Sequence, residues 1–262
     1  MKKSNKKKTD KKKSSKKKSK SLKIFRWLGR IVLFLFLFSI LITVAYRWIN
    51  PPITPLMLIR KISDDAPIQK KWVDIKDISP HLISTAVAAE DNHFLGHRGF
   101  DFIAIEKAID ERNSGKRKRG ASGISQQTAK NVFLWQKQSW LRKGLESYFT
   151  VLIELFWSKE RIMEVYLNVI EMGDGIYGCE MASQIYFNKS AKNLTLNQAA
   201  LITVCYPNPR KWSPAKPTPY ITKRSSHIAR LTKLIGKINF DDESIKKARE
   251  RYKKRRNGLI KS

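Results

Sequence analysis

Three carboxylates and two histidines fall within the thirteen-residue stretch Ala89-Glu90-Asp91-Asn92-His93-Phe94-Leu95-Gly96-His97-Arg98-Gly99-Phe100-Asp101. An apolar run, Ile83 to Ala89, leads into Glu90. A carboxylate at the end of an apolar helix is partly desolvated, which raises its pKa and suits it to proton transfer near neutral pH. A helix end with a solvated acidic turn accounts for the same residues equally well. Spacing alone does not separate the two.

Three further stretches carry candidate chemistry. In Gly120-Ala121-Ser122-Gly123-Ile124-Ser125-Gln126-Gln127-Thr128-Ala129-Lys130-Asn131, a helix would put Gln127, Lys130 and Asn131 on one face, with Gln126 stacked on Lys130. Such a face offers donors to an anionic, hydroxyl-rich ligand; a solvated helix surface would look the same. In Arg142-Lys143-Gly144-Leu145-Glu146, Arg142 and Lys143 stand four and three residues before Glu146. That is either an intrahelical ion pair or a carboxylate held among cations beside a diphosphate. In Ser158 to Asn168, the positions Ile162, Val165, Tyr166 and Val169 form a core stripe, with Asn168 the polar outlier.

The elements that would position these groups are helical. Ser79-Pro80 caps a helix through about Asp91, and Asp101 caps one ending near Asn113. Ser114 to Gly123 reads as a basic, glycine-rich loop. Helices follow over about 125–135, 140–157, 158–170 and 178–187, with Gly173-Asp174-Gly175 as a turn. Thr195 and Gln198 form a capping box for a helix through about Tyr206. The proline-rich segment from Pro207 to Pro219 is loop, and two helices close the chain near 219–237 and 242–256. No strand pattern of any length is visible, so the class is mainly α.

The 262 residues carry a net charge of +31. Residues 1–26 account for +13 of it in a low-complexity Lys/Ser block, read as a disordered tail. That block could sit on nucleic acid or on anionic lipid headgroups, and its neighbour favours lipid. Ile31 to Tyr46 holds no charge, is flanked by Arg30 and Arg47, and has Trp27, Tyr46 and Trp48 at its ends. Counted over 27–49, it is long enough to span a bilayer with both arginines snorkelling. The basic excess on its N-terminal side predicts a cytoplasmic N-terminus and an extracytoplasmic body. A cleaved signal peptide is the competing reading, and no small-x-small cleavage site follows the run. Residues 50–70 read as a linker, stiffened by Pro51, Pro52 and Pro55, 71–218 as the main domain and 219–262 as basic C-terminal helices. Cys179 and Cys205 fit no metal spacing; the default is two small buried residues.

Taken in order, the four stretches resemble the family-51 glycosyltransferases, the peptidoglycan polymerases. That family carries E-D-x-x-F-x-x-H-x-G-F-D, then G-G-S-T-I-T-Q-Q-x-x-K-N, then R-K-x-x-E, then K-x-x-I-L-x-x-Y-L-N. Here these stand at Glu90–Asp101, Gly120–Asn131, Arg142–Glu146 and Lys159–Asn168. One anchor and no room for a penicillin-binding domain point to the monofunctional members. There are departures. Gly123 replaces the usual Thr, which is expected to loosen that loop. Lys137 and Gln138 stand where many members have Arg, and Met163 replaces Leu.

The resemblance implies a lysozyme-like α-helical fold and extension of glycan strands from lipid II. Glu90 would be the general base and Glu146 the second catalytic carboxylate, orienting cations or helping to hold a divalent ion. Phe94, Gln126, Gln127, Lys130, Asn131, Arg142 and Lys143 would bind substrate. Asp91, His97 and Asp101 would brace the Glu90 turn, and Phe100 would shape the pocket. The sequence requires no cofactor and fixes no metal ligand; Mg2+ or Mn2+ at the diphosphate is an option the resemblance leaves open. The implied partners are lipid II, the growing strand, membrane lipids and other cell-wall synthases, without nucleic acid, and the implied location is the cytoplasmic (inner) membrane. A lysozyme-like glycan-cleaving enzyme and a non-catalytic, basic, membrane-anchored binding protein are the rival readings. The cations at Lys130, Arg142 and Lys143 separate the first rival, because cleavage has no use for them.

Overall fold

The computed structural model describes residues 3–115 and 120–259, so the Lys116–Arg119 part of the basic loop lies outside the described residues. The chain divides into two units, residues 1–45 and 46–262. The first is a single helix, α1 (Lys3–Ala45). Its stretch Phe25–Ala45 is long and apolar enough to cross a membrane. It starts two residues before and ends four residues before the span read from the sequence. The helix is continuous from Lys3, where composition predicts a disordered tail. Lysine is a good helix former, and a helix nucleated in the apolar segment propagates into it at little cost.

The second unit begins with a turn over Tyr46–Trp48, whose Tyr46 and Ile49 carbonyls accept from the Arg161 guanidinium. The expected linker over 50–70 contains a helix: α2 (Pro55–Asp64) is capped by the Thr54 hydroxyl and buries Leu56 and Met57. Three prolines in a row of six residues suggest a linker, but Thr54-Pro55 is the same cap-plus-proline signal as Ser79-Pro80. Next come β1 (Gln69–Lys70), α3 (Pro80–Glu90), α4 (Phe102–Asn113), α5 (Ile124–Phe133), α6 (Trp140–Phe156) and α7 (Lys159–Val169). Then follow β2 (Glu171–Gly173), β3 (Ile176–Tyr177), α8 (Cys179–Phe187), α9 (Leu196–Cys205), α10 (Pro219–Ile235) and α11 (Asp242–Leu259).

The small sheet has order β1-β3-β2, with β1 parallel and β2 antiparallel to β3. Strands of two or three residues present no alternation, which is why the sequence shows none. Helix α7 is the centre of the core: Ile162, Met163, Val165, Tyr166, Leu167 and Val169 are all fully buried. It packs against α5, which packs against α6. On the other side α3, α9 and α10 form a second layer, with Val204, Cys205, Ile221 and Ile228 in one cluster. Helix α10, the first of the basic C-terminal helices read from the sequence, buries its apolar stripe against α9 and α3. Cys179 and Cys205 are both free and buried. Helix α4 is different: none of its residues is buried, and Phe102 and Ile109 are exposed.

Candidate active site

Glu90 is the last residue of α3, and its helix places it half-buried facing α5. The Gln127 Nε2 donates to Glu90 Oε2 at 2.7 Å, and the Gln127 Oε1 accepts from the Tyr166 hydroxyl at 3.3 Å. The amide is thus pinned at both ends: Tyr166 fixes its orientation, and its N–H meets the carboxylate. Burial raises the Glu90 pKa above the ordinary glutamate value, and neighbouring Asp91 adds to the rise. The Gln127 hydrogen bond and the charges of Arg224 and Lys130 oppose it.

Lys130 is one helical turn beyond Gln127 on the same face of α5. Burial lowers its pKa, while the Glu146 and Glu90 charges hold it up. It makes no ion pair among the described residues. Gln127, Lys130 and Asn131 form one wall of a cleft of about 310 Å3, with Tyr206, Pro207 and Arg210 among the residues lining it. Asn131 is buried in that wall, its Oδ1 accepting from Gln136 Nε2 at 3.3 Å.

Glu146 comes from the first half of α6 and is buried. Its Oε2 accepts from Arg142 Nη1 at 2.5 Å, and its Oε1 pairs with the Lys143 ammonium. Lys143 also reaches the Ser122 hydroxyl at 3.3 Å. The second carboxylate is thus clamped by two cations, and Lys130 feels both it and Glu90.

Two residues expected at the substrate stand elsewhere. Phe94 is fully buried beneath the Lys159 ammonium, 4.5 Å from the ring centroid, and is core. Gln126 is buried, with its Oε1 accepting from the Gly123 N–H at 3.3 Å, and serves the start of α5. Adjacent helical residues diverge by about 100°, so Gln126 and Gln127 cannot share a face.

The turn after Glu90 is held by the remaining acids and histidines. Asp91 Oδ1 accepts from His97 Nε2 at 2.9 Å, and its Oδ2 accepts from the Ile124 N–H at 2.9 Å. Asp101 caps α4 through the Ile103 and Ala104 N–H groups, and its other oxygen meets His93 Nδ1 at 2.8 Å. Burial opposes ionisation of Asp101, but the hydrogen bonds from His93 and Ala104 outweigh it and lower its pKa. Gly123 does not loosen its loop: a Cβ there would come within 2.2 Å of Asp91 Oδ2. Its lack of a side chain is what lets Asp91 reach the first N–H of α5.

Asp91, His97 and Asp101 each place a ligand atom within 4.8 Å of the others, close enough for a metal ion. Their oxygens are already engaged by backbone N–H groups and imidazoles, and both Glu146 oxygens are engaged by cations. Neither set fits an open divalent site.

Two groups were not legible as part of the site. Helix α11 clamps the Glu90 turn: the Tyr252 hydroxyl accepts from the Phe102 N–H at 2.8 Å, and its ring meets His93 and His97 edge-on. A Cβ on Gly96 would lie 2.7 Å from Tyr252 Cβ. Arg255 Nη1 lies 3.3 Å from His93 Nε2. Because arginine only donates, Nε2 accepts and the His93 proton sits on Nδ1, facing Asp101. The second group is a buried trio in which Glu154 Oε1 receives Lys159 at 2.6 Å and the Ser125 hydroxyl at 2.5 Å. Lys159 opens the Lys159–Asn168 stretch, and its i−5 carboxylate partner across the α6–α7 corner follows no simple helical spacing.

A family model described as transglycosylase matches residues 57–233. The chain belongs to the transglycosylase family. The domain of that family is lysozyme-like. A biosynthetic peptidoglycan transglycosylase of Bacteroides thetaiotaomicron is 50% identical over 240 residues, covering 89% of this chain and 97% of the relative. A second protein of that name, from Bdellovibrio bacteriovorus, is 50% identical over 208 residues, covering 78% and 83%. One from Rhodospirillum centenum is 46% identical over 213 residues, covering 81% and 92%. The matched family span includes α2 and α10, in agreement with their packing, and ends before α11.

Proposed function

We propose that this transglycosylase is a peptidoglycan glycosyltransferase that polymerises lipid II, with Glu90 as its general base. The observation that carries this is a half-buried carboxylate, held by Gln127, within electrostatic reach of Lys130, which has no ion-pair partner among the described residues, beside the Arg142–Lys143–Glu146 cluster. The acceptor's 4-hydroxyl attacks C1 of the growing strand and loses its proton to Glu90. The bond from C1 to the diphosphate oxygen breaks with inversion, and undecaprenyl diphosphate leaves. Lys130, with Arg142 and Lys143 beside it, neutralises the charge developing on that leaving group. Glu146 holds Arg142 and Lys143 in place. Gln127 positions Glu90, and Asn131 offers its amide to sugar or phosphate oxygens from the cleft wall.

Phe25–Ala45 is consistent with a single-pass membrane anchor. The lysines before it favour a cytoplasmic N-terminus, with the catalytic unit outside the cytoplasmic membrane, where the lipid-borne substrate is presented. The unburied apolar residues of α4, Phe102 and Ile109, suit contact with lipid near the substrate's tail.

The test is purified protein with labelled lipid II. Long glycan strands from the wild type, absent with Glu90→Gln, are expected. Digestion of isolated sacculi without polymer formation would instead assign the cleft to glycan cleavage, and neither activity would favour a binding protein.

A further inference from the structure

A second cavity, of about 640 Å3, lies between α10, α11 and the turn after Glu90. It is within the range of roughly 300–1,000 Å3 that takes a small amphiphile. Leu231, Leu234 and Ile238 give it an apolar wall, and Leu234 is 80% exposed. Lys237, Arg251 and Arg255 give it a cationic rim. No aspartate or glutamate lines it, and Lys237 and Arg251 have no carboxylate partner among the described residues. Lys247 also lines it, and pairs outward with Glu243.

We propose that this groove binds an acidic phospholipid of the bilayer, its phosphate on the Arg251–Arg255 rim and its acyl chain along α10. The complementary chemistry is an anion joined to a chain: a free phosphate would leave the Leu234 wall bare, and a neutral lipid would leave the rim unpaired. The membrane supplies that chemistry at high local concentration to a chain carrying a bilayer-length helix. Exposed Phe102 lies under the Arg256 guanidinium, 4.6 Å from the ring centroid, which joins the cationic face of α11 to the uncovered apolar side of α4. The groove is built mainly of residues beyond the matched family span, from the end of α10 through α11. His93 and Gly96 form its inner wall, so an occupant packs against the turn that carries Glu90. The inference depends on membrane attachment and not on the base assigned to Glu90.

The test reconstitutes the full-length protein in phosphatidylcholine vesicles containing phosphatidylglycerol with a photo-reactive acyl chain, and maps adducts by mass spectrometry. Adducts on residues 231–238 are expected. Arg251→Glu should reduce them about tenfold, the equivalent of one charge-assisted hydrogen bond. Leu234→Asp, at an exposed position that folding tolerates, should reduce them as well, and Arg251→Lys should retain them. No adducts there, or equal labelling by the phosphatidylcholine analogue, overturns the proposal. So does displacement of the label by an acidic peptide such as polyglutamate, which assigns the groove to a protein partner. Lipid II polymerisation in the same vesicles reads the proposed function separately: polymer without labelling sinks only the lipid site, and labelling without polymer sinks only the transferase reading.

Discussion

Glu90 and Glu146 are both glutamates on helices at the same site, and their surroundings differ in kind. Glu90 is half-buried and meets a neutral amide, with burial raising its pKa. Glu146 is more deeply buried, and each of its oxygens is held by a cation. A carboxylate with a raised pKa and a free edge can accept a proton from a hydroxyl; one with both oxygens in ion pairs cannot do so without breaking them. In the proposed assignment, position on a helix does not distinguish the base from the clamped carboxylate; the charge of the partner does.

Substitution at the two sites should therefore separate activity from stability. Glu90→Gln should cost about 10²–10⁴-fold in polymerisation rate, measured with labelled lipid II. It should leave the melting temperature equal or higher at pH 7. The sign follows from the raised folded-state pKa: the ionised form is penalised above the ordinary glutamate pKa, so the penalty grows as pH rises and Gln removes it. Glu146→Gln should instead lower stability by about 3–5 kcal/mol in chemical denaturation, because it leaves Arg142 buried without its counter-charge. Lys159→Met extends the contrast to a buried pair that touches no substrate. It strands Glu154 and the Ser125 hydroxyl, and should also cost about 3–5 kcal/mol of stability. Its specific activity per folded molecule should fall far less than that of Glu90→Gln. The smallest expected effect is Tyr252→Phe, which leaves the Phe102 N–H without its acceptor and should cost about 0.5–1.5 kcal/mol. If Glu146→Gln kept full stability and lost only rate, the distinction between the two carboxylates would fail.

Most helices of the site were legible because they begin with a side-chain cap: Ser79, Asp101 and Thr195 accept from N–H groups at the starts they were expected to cap, and Ser139 and Ser158 do the same for α6 and α7. Helix α2 was masked by its prolines although Thr54 announces it in the same way. Helix α5 is the exception, since it starts at Gly123 and takes its cap from the distant Asp91. The spacing of Arg142, Lys143 and Glu146 also translated directly into contacts, since three- and four-residue separations fix neighbours within one helix. What did not translate was which side of a helix meets the core. Gln126 and Gln127 are chemically identical neighbours, and only packing against α3 and α7 shows that the second reaches Glu90. Phe94 looked like a pocket wall because it lies among reactive residues, yet the turn buries it beneath Lys159. The α11 clamp joins Tyr252 to Phe102, 150 residues apart in sequence, and no local pattern announces a contact of that range.

The most direct measurement of the Glu90 assignment is the pH dependence of kcat/KM for lipid II polymerisation in the wild type and in Gln127→Leu. A base must be deprotonated, so the rate should rise with pH through the Glu90 pKa, with its acid limb above the ordinary glutamate value. Gln127→Leu removes a hydrogen bond that favours the ionised carboxylate, so it should move that limb to higher pH. An acid limb unmoved by Gln127→Leu, and shifted instead by Glu146→Gln, would contradict the assignment of Glu90 as the base.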